Sequence, residues 1–118
     1  MGSDRFYPEE APVRKVRVDS FWIDETPVTN AQFRRFVEDT GYRTQAELAP
    51  DGALYPGVDP ALLQAGSLVF EAPDPAVGGT WWQFVPGACW RHPRGPASGI
   101  EGIDDHPVVH VGHADALA

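Results

Sequence analysis

All four histidines fall between His92 and His113, and the last three, His106, His110 and His113, follow directly on the carboxylates Asp104 and Asp105. Neutral imidazoles this close together can ligate zinc, copper or iron, given suitable ring geometry and a second shell of hydrogen bonds. The spacings do not place two rings one turn apart on an established helix. His106 precedes Pro107 at a strand entrance, and His110 sits between Val109 and Val111. Histidines that hydrogen-bond within the fold account for the pattern more simply than ligands do, so no metal site is assigned.

Cys89 is the sole thiol. A Cys–His nucleophile needs a base beside the sulfur, and His92 is near in sequence only. Flanked by Ala88 and Trp90, Cys89 reads as a partly buried, inert thiol. Arg91-His92-Pro93-Arg94-Gly95-Pro96 presents a guanidinium on a rigid loop. Arg91 can clamp a carboxylate or an extended peptide, or stack on Trp81, Trp82 or Trp90 while bonding loop carbonyls. Trp81 and Trp82 fit a core or a groove wall equally well. Trp81, Trp82, Trp90 and Arg91 are therefore the groove candidates, and no residue is assigned a catalytic role. The acid pairs Glu9-Glu10, Glu38-Asp39 and Asp104-Asp105 read as solvated faces rather than general acid–base pairs. No calcium loop, phosphate-cradling glycine loop or G-x-S-x-G elbow is present.

The elements that position these residues are short. The chain has 118 residues, 42% of them apolar, which allows one domain or part of one. Its formal net charge of −8 argues against nucleic acid as a partner. No apolar run is long enough for a membrane span. The lone cysteine and the absence of a basic-then-apolar start give a cytoplasmic setting as the expectation. Arg14 to Asp24 alternates around Val16 and Val18 and predicts a half-buried strand. Thr29 and Gln32 have capping-box spacing, Val28 and Phe33 are placed as a hydrophobic staple, and Gly41 is a stop. A helix is thus predicted between them, with Phe33, Phe36 and Val37 on its apolar face.

From Thr44 to Gly79 the chain is punctuated by Pro50, Pro56, Pro60, Pro73 and Pro75 and by five glycines. Only Pro60 to Gln64 suggests a helical turn, and Ser67 to Phe70 a short strand. Three of the four tryptophans lie between Trp81 and Trp90. The Trp81 to Pro96 stretch, dense in aromatics, Pro and Gly, predicts irregular backbone. Val108 to Val111 reads as a buried short strand. Gly112 then starts a helix with Asp115 in its first turn. The chain stops within one turn and reads as cut.

The string Trp-Trp-x-x-Val-x-Gly-Ala-x-Trp-Arg-His-Pro-x-Gly-Pro from Trp81, followed by Asp-His-Pro-Val-Val-His-Val from Asp105, resembles the formylglycine-generating enzyme (sulfatase-modifying factor) family. Met1-Gly2-Ser3-Asp4, Glu10-Ala11-Pro12 and the run from Val28 to Tyr42 are similar to it as well. The matches are collinear and leave a gap at Gln45 to Gly79, where the family has a variable insertion. Gly112-His113 departs from the pattern, which usually has Ser then Trp there and thus a better N-cap.

The resemblance implies an α+β class. Residues 1–118 would be the N-terminal portion of a C-type-lectin-like domain with much irregular backbone, and 45–79 its variable insertion. It implies an intact family that oxidises a sulfatase cysteine to Cα-formylglycine with oxygen and copper. The substrate is a Cys-x-Pro-x-Arg segment held in a surface groove. The copper ligands are a pair of cysteines separated by four residues near the C-terminus, beyond the end of this sequence. No catalytic residue carries over, Cys89 is not one of the pair, and the chain alone is expected to lack oxidase activity. Two other readings stand beside this one. One is a non-catalytic peptide-binding module or degenerate paralogue. The other is the sister branch of iron-dependent sulfoxide synthases, which carry a His-rich helical region ahead of the shared domain.

Overall fold

The computed structural model describes residues 1–72 and 78–118; the expected turn-formers Pro73 and Pro75 lie outside them. Helix α1 spans Asn30–Thr40 and forms where the local signals place it. The Thr29 side chain accepts from the Gln32 N–H at 3.3 Å, and the Gln32 side chain accepts from the Thr29 N–H at 2.8 Å. The two remaining orphan donors of the first turn are met from a distant segment. Asn30 N–H donates to the His106 carbonyl at 2.9 Å and Ala31 N–H to that of Asp104 at 3.0 Å. With its start satisfied in this way, α1 is anchored to residues 104–108 as well as capped. Gly41, at φ +69°, closes the helix in the left-handed region that glycine enters without a Cβ penalty. Val28, by contrast, remains largely exposed beside Phe33 rather than closing over it as a staple.

The strands are Gly66–Phe70 (β1) and Trp82–Pro86 (β2), paired antiparallel with Leu68 opposite Phe84 and Phe70 opposite Trp82. β1 lies where a short strand was expected, at Ser67 to Phe70. β2 corrects the expectation of irregular backbone through the whole Trp-rich stretch. Aromatic and β-branched residues favour a pleated surface once a partner strand is available, and β1 supplies it. One face of the ladder carries Leu68, Phe70, Trp82 and Phe84, all about half exposed.

Two expected strands are absent. Residues 14–24 are exposed throughout, with Trp22 at 103%, and no described strand lies beside them. An alternating pattern makes a strand only when a neighbour takes up its backbone hydrogen bonds. Val108 to Val111 is likewise not a strand, and Val109 and Val111 are exposed rather than buried. Here the reason is local: His110 has φ +58°, which breaks an extended run.

The 45–79 segment has more structure than its prolines suggest. It holds 3-10 turns at Gln45–Glu47, Gly52–Leu54 and Pro60–Leu62, as well as β1. Residues 48–62 are exposed, whereas Thr44 and Ala46 at its start are buried. Helix α2, His113–Leu117, ends the chain. Among the described residues no helix is long and apolar enough to cross a membrane.

The core sits between α1 and the loop after β2. Phe33, Val37, Trp90 and Ile100 form its centre, with Phe36, Ile103 and Val108 packed against it. The molecule is a mixed helix and strand structure with much irregular backbone.

Candidate functional site

Gly87 to Pro96 leaves β2 and doubles back on itself. Cys89 and His92 exchange both backbone hydrogen bonds, at 3.2 and 3.0 Å. This tight reversal drives Ala88, Cys89 and Trp90 inward, so Trp90 is fully buried. Its ring meets Phe33 edge-on, with centroids 5.2 Å apart and planes at 78°. Trp90 is therefore a core residue and does not line a surface groove in this chain. Among the described residues neither its indole Nε1 nor the buried Oδ1 of Asn30 has a hydrogen-bond partner.

Arg91, the next residue, points outward, with its guanidinium carbon 4.2 Å from the centroid of the Trp90 ring. The guanidinium also stands 3.9 Å from a Glu47 oxygen, long for an ion pair and partly exposed. Of the two roles open to it, stacking on a tryptophan is the one the geometry displays. A second cation, Arg34, lines a cleft together with Arg91, His92 and Glu101 and is bonded to Asp104 at 2.6 Å. Both partners reach solvent, so the pair contributes about 0–1 kcal/mol.

Trp81 and Trp82 are about half exposed and organise around Phe70. Trp81 stacks on that ring at 5.4 Å and Trp82 meets it edge-on at 5.2 Å. Beside Trp82 opens a cleft of about 480 Å³, lined by Leu68, Phe70, Pro93, Arg94 and the backbone run from Val108 to Val111. The trough is half open, with mostly apolar walls and Arg94 among its lining residues.

The histidines do not converge. His106 acts through its backbone, at the start of α1, and its side chain is exposed. His113 is exposed at the start of α2. His92 bonds the Ser98 carbonyl through Nδ1 at 2.6 Å. His110 has both nitrogens engaged, Nδ1 with Ser67 Oγ at 2.9 Å and Nε2 with the Pro93 carbonyl at 2.8 Å. Among the described residues no three His, Cys, Asp or Glu side chains gather closely enough to hold a metal ion. Copper in the Cu(I) state favours soft sulfur ligands, and the single thiol here is buried without a second one. These residues do not fit a copper site.

One buried carboxylate reaches further than its place in the sequence shows. Asp115 is buried and joins three segments: its Oδ1 accepts from the Tyr42 hydroxyl at 3.1 Å and Gln45 N–H at 3.0 Å, and its Oδ2 accepts from Gly112 N–H at 2.7 Å. The last bond satisfies the N-cap N–H itself, the half of a capping box that needs no side chain on Gly112. The Tyr42 hydroxyl is raised above the ordinary tyrosine range, first by desolvation, then by its bond to Asp115 and the nearby negative charge. Asp115 was legible only as a charge favourable to the helix dipole; its reach to Tyr42 and Gln45 carries no local sequence signal.

The model of the sulfatase-modifying factor enzyme 1-like domain matches residues 1–118. A formylglycine-generating enzyme of Mycobacterium tuberculosis is 52% identical over 125 residues, covering 100% of this chain and 41% of that protein. The formylglycine-generating enzyme of Bos taurus is 42% identical over 109 residues, covering 92% of this chain and 28% of the relative. The chain is also 44% identical over 110 residues to the inactive C-alpha-formylglycine-generating enzyme 2 of Mus musculus, covering 92% of this chain and 33% of the relative. The chain thus spans less than half the length of these relatives.

Proposed function

The chain belongs to the sulfatase-modifying factor enzyme 1-like domain family, and from that premise we propose that it supplies scaffold and one groove wall to a formylglycine-generating enzyme. The whole protein would oxidise a sulfatase cysteine to Cα-formylglycine with oxygen, and its domain would have a C-type-lectin-like fold. The substrate would be an extended Cys-x-Pro-x-Arg segment, with Trp81 and Trp82 flanking it and Arg91 fixing the loop below. A cytoplasmic setting accompanies this reading, in keeping with the single cysteine. Copper is implied by the family chemistry, and its ligands would be residues other than those described here.

The observation that carries the proposal is the match of the domain model over residues 1–118 of this chain, with 52% identity to a formylglycine-generating enzyme. It is tested by titrating the 118-residue chain with a Cys-x-Pro-x-Arg peptide and following tryptophan fluorescence. Saturable binding, weakened several-fold by Trp82→Ala, is expected, since an interfacial aromatic commonly contributes more than 1 kcal/mol. No binding at millimolar peptide would contradict the groove assignment.

A second reading, a non-catalytic peptide-binding module, is favoured by the similarity to a relative whose name marks it as inactive. It expects the longest natural form of the protein to bind peptide with an affinity indifferent to copper and without turnover. The enzyme reading expects copper-dependent oxidation from that same form.

A further inference from the structure

His110 is the side chain that ties together the two walls of the Trp82 cleft. Its ring lies between Ser67 Oγ, on β1, and the Pro93 carbonyl, on the loop after β2, at 2.9 and 2.8 Å. These groups are 43 and 17 residues away from it in sequence. The carbonyl can only accept, so Nε2 carries a proton. Nδ1 then accepts from the Ser67 hydroxyl in the neutral ring, or donates to it in the cation. Either form of the imidazole satisfies both walls.

Two further observations point the same way. His110 occupies the left-handed region at φ +58°, a conformation rare outside glycine and entered here in the middle of a valine run. It turns the chain so that the ring reaches across while Val109 and Val111 border the cleft. The loop wall is also packed closely on the hairpin: a Cβ on Gly95 (φ +100°) would stand 2.8 Å from Val85 Cγ1.

We propose that His110 is a positioning residue that sets the separation of the cleft walls, holding Trp82 and Phe70 at a fixed distance from Pro93 and Arg94. That the cleft receives peptide rests on the function proposed above; the clamp itself does not. Ser67→Ala removes one wall contact from a half-buried strand position, Ser67→Thr keeps the hydroxyl, and His110→Asn tolerates the left-handed backbone but is too short to span both walls.

Hydrogen exchange on the longest natural form of the protein reads the clamp directly. Both Ser67→Ala and His110→Asn are expected to speed exchange about tenfold in 66–70, 82–86 and 93–98 while leaving α1 unchanged, with Ser67→Thr matching the parent. Unchanged exchange in both walls would overturn the proposal. So would exchange in α1 that rises as much as in the walls with both variants. The peptide separates the two proposals. If the walls loosen and the parent chain binds no Cys-x-Pro-x-Arg peptide, the groove reading fails and the clamp stands. If the parent binds and Ser67→Ala binds equally well, the positioning role fails.

Discussion

The Trp90 ring stands edge-on against Phe33, 5.2 Å between centroids, and this contact joins the loop after β2 to the buried face of α1. Phe33 in turn touches Phe36, whose ring lies 5.3 Å from Tyr42. A line of aromatic contacts thus runs from the loop, across the helix, to the segment that holds Asp115. The helix, the loop and the end of the chain are therefore expected to respond together when one member is removed.

Trp90→Ala should be the most destabilising single change in the core. Trp90 is fully buried, and truncating such a ring costs about 3–5 kcal/mol. Phe33→Ala should cost a similar amount, and the double variant should cost less than the sum because the two rings share one contact. Urea unfolding of the three variants checks this. Additive losses would mean that the edge-on contact contributes nothing of its own.

Asp115→Ala removes an acceptor from Tyr42, Gln45 and Gly112 at once. Gln45 lies at the surface and regains water, while the half-buried Tyr42 and Gly112 donors lose their acceptor, so a loss of stability is expected. Asp115→Asn should recover part of it, because one amide oxygen still accepts. An unfolding midpoint for Asp115→Ala equal to that of the parent would show that water replaces all three bonds.

The raised Tyr42 hydroxyl gives stability a pH dependence of known sign. The folded state holds the phenolic proton more tightly than the unfolded state. Its contribution is therefore complete below the ordinary tyrosine value of about 10 and is lost as pH rises through the folded value. The urea midpoint should fall from about pH 10 upward, and Tyr42→Phe should flatten that limb. An identical alkaline limb in the variant would assign it to other groups.

Cys89 is 6% exposed within the tight reversal. A thiol reagent should modify it slowly in the native chain, at a rate set by local opening, and quickly in urea. Fast native labelling would place the sulfur at the surface and remove the reason for calling it inert.

How much of this was legible depended on the range of the interactions involved. Helix α1 was readable because each end is closed locally, Thr29 with Gln32 at its start and Gly41 with Val37 at its finish. β1 was readable as a short apolar run, Leu68 to Phe70, within a stretch otherwise punctuated by Pro and Gly. The strand expected over 14–24 failed because Val16 and Val18 specify a pattern, while a strand also needs a neighbour. The strand expected at Val108 to Val111 failed on one backbone angle at His110, which no valine-rich neighbourhood foretells. The groove candidates divided in a similar way. Trp90 was placed inside by the Cys89–His92 reversal, and Arg91 was left stacked on its ring, while Trp81 and Trp82 stayed half exposed. The clamp and the reach of Asp115 to Tyr42 were not readable, since those partners lie 17 to 73 residues apart in sequence.

The central claim is that these 118 residues supply scaffold and groove wall but not the redox centre. The most direct test incubates the purified chain with Cu(I), oxygen, a thiol reductant and a Cys-x-Pro-x-Arg peptide, and follows the peptide mass and aldehyde capture by a hydrazide. The account expects the cysteine to remain unconverted at every copper concentration, because the single thiol is buried and the described residues form no metal cluster. Catalytic formation of the aldehyde by this chain would contradict it.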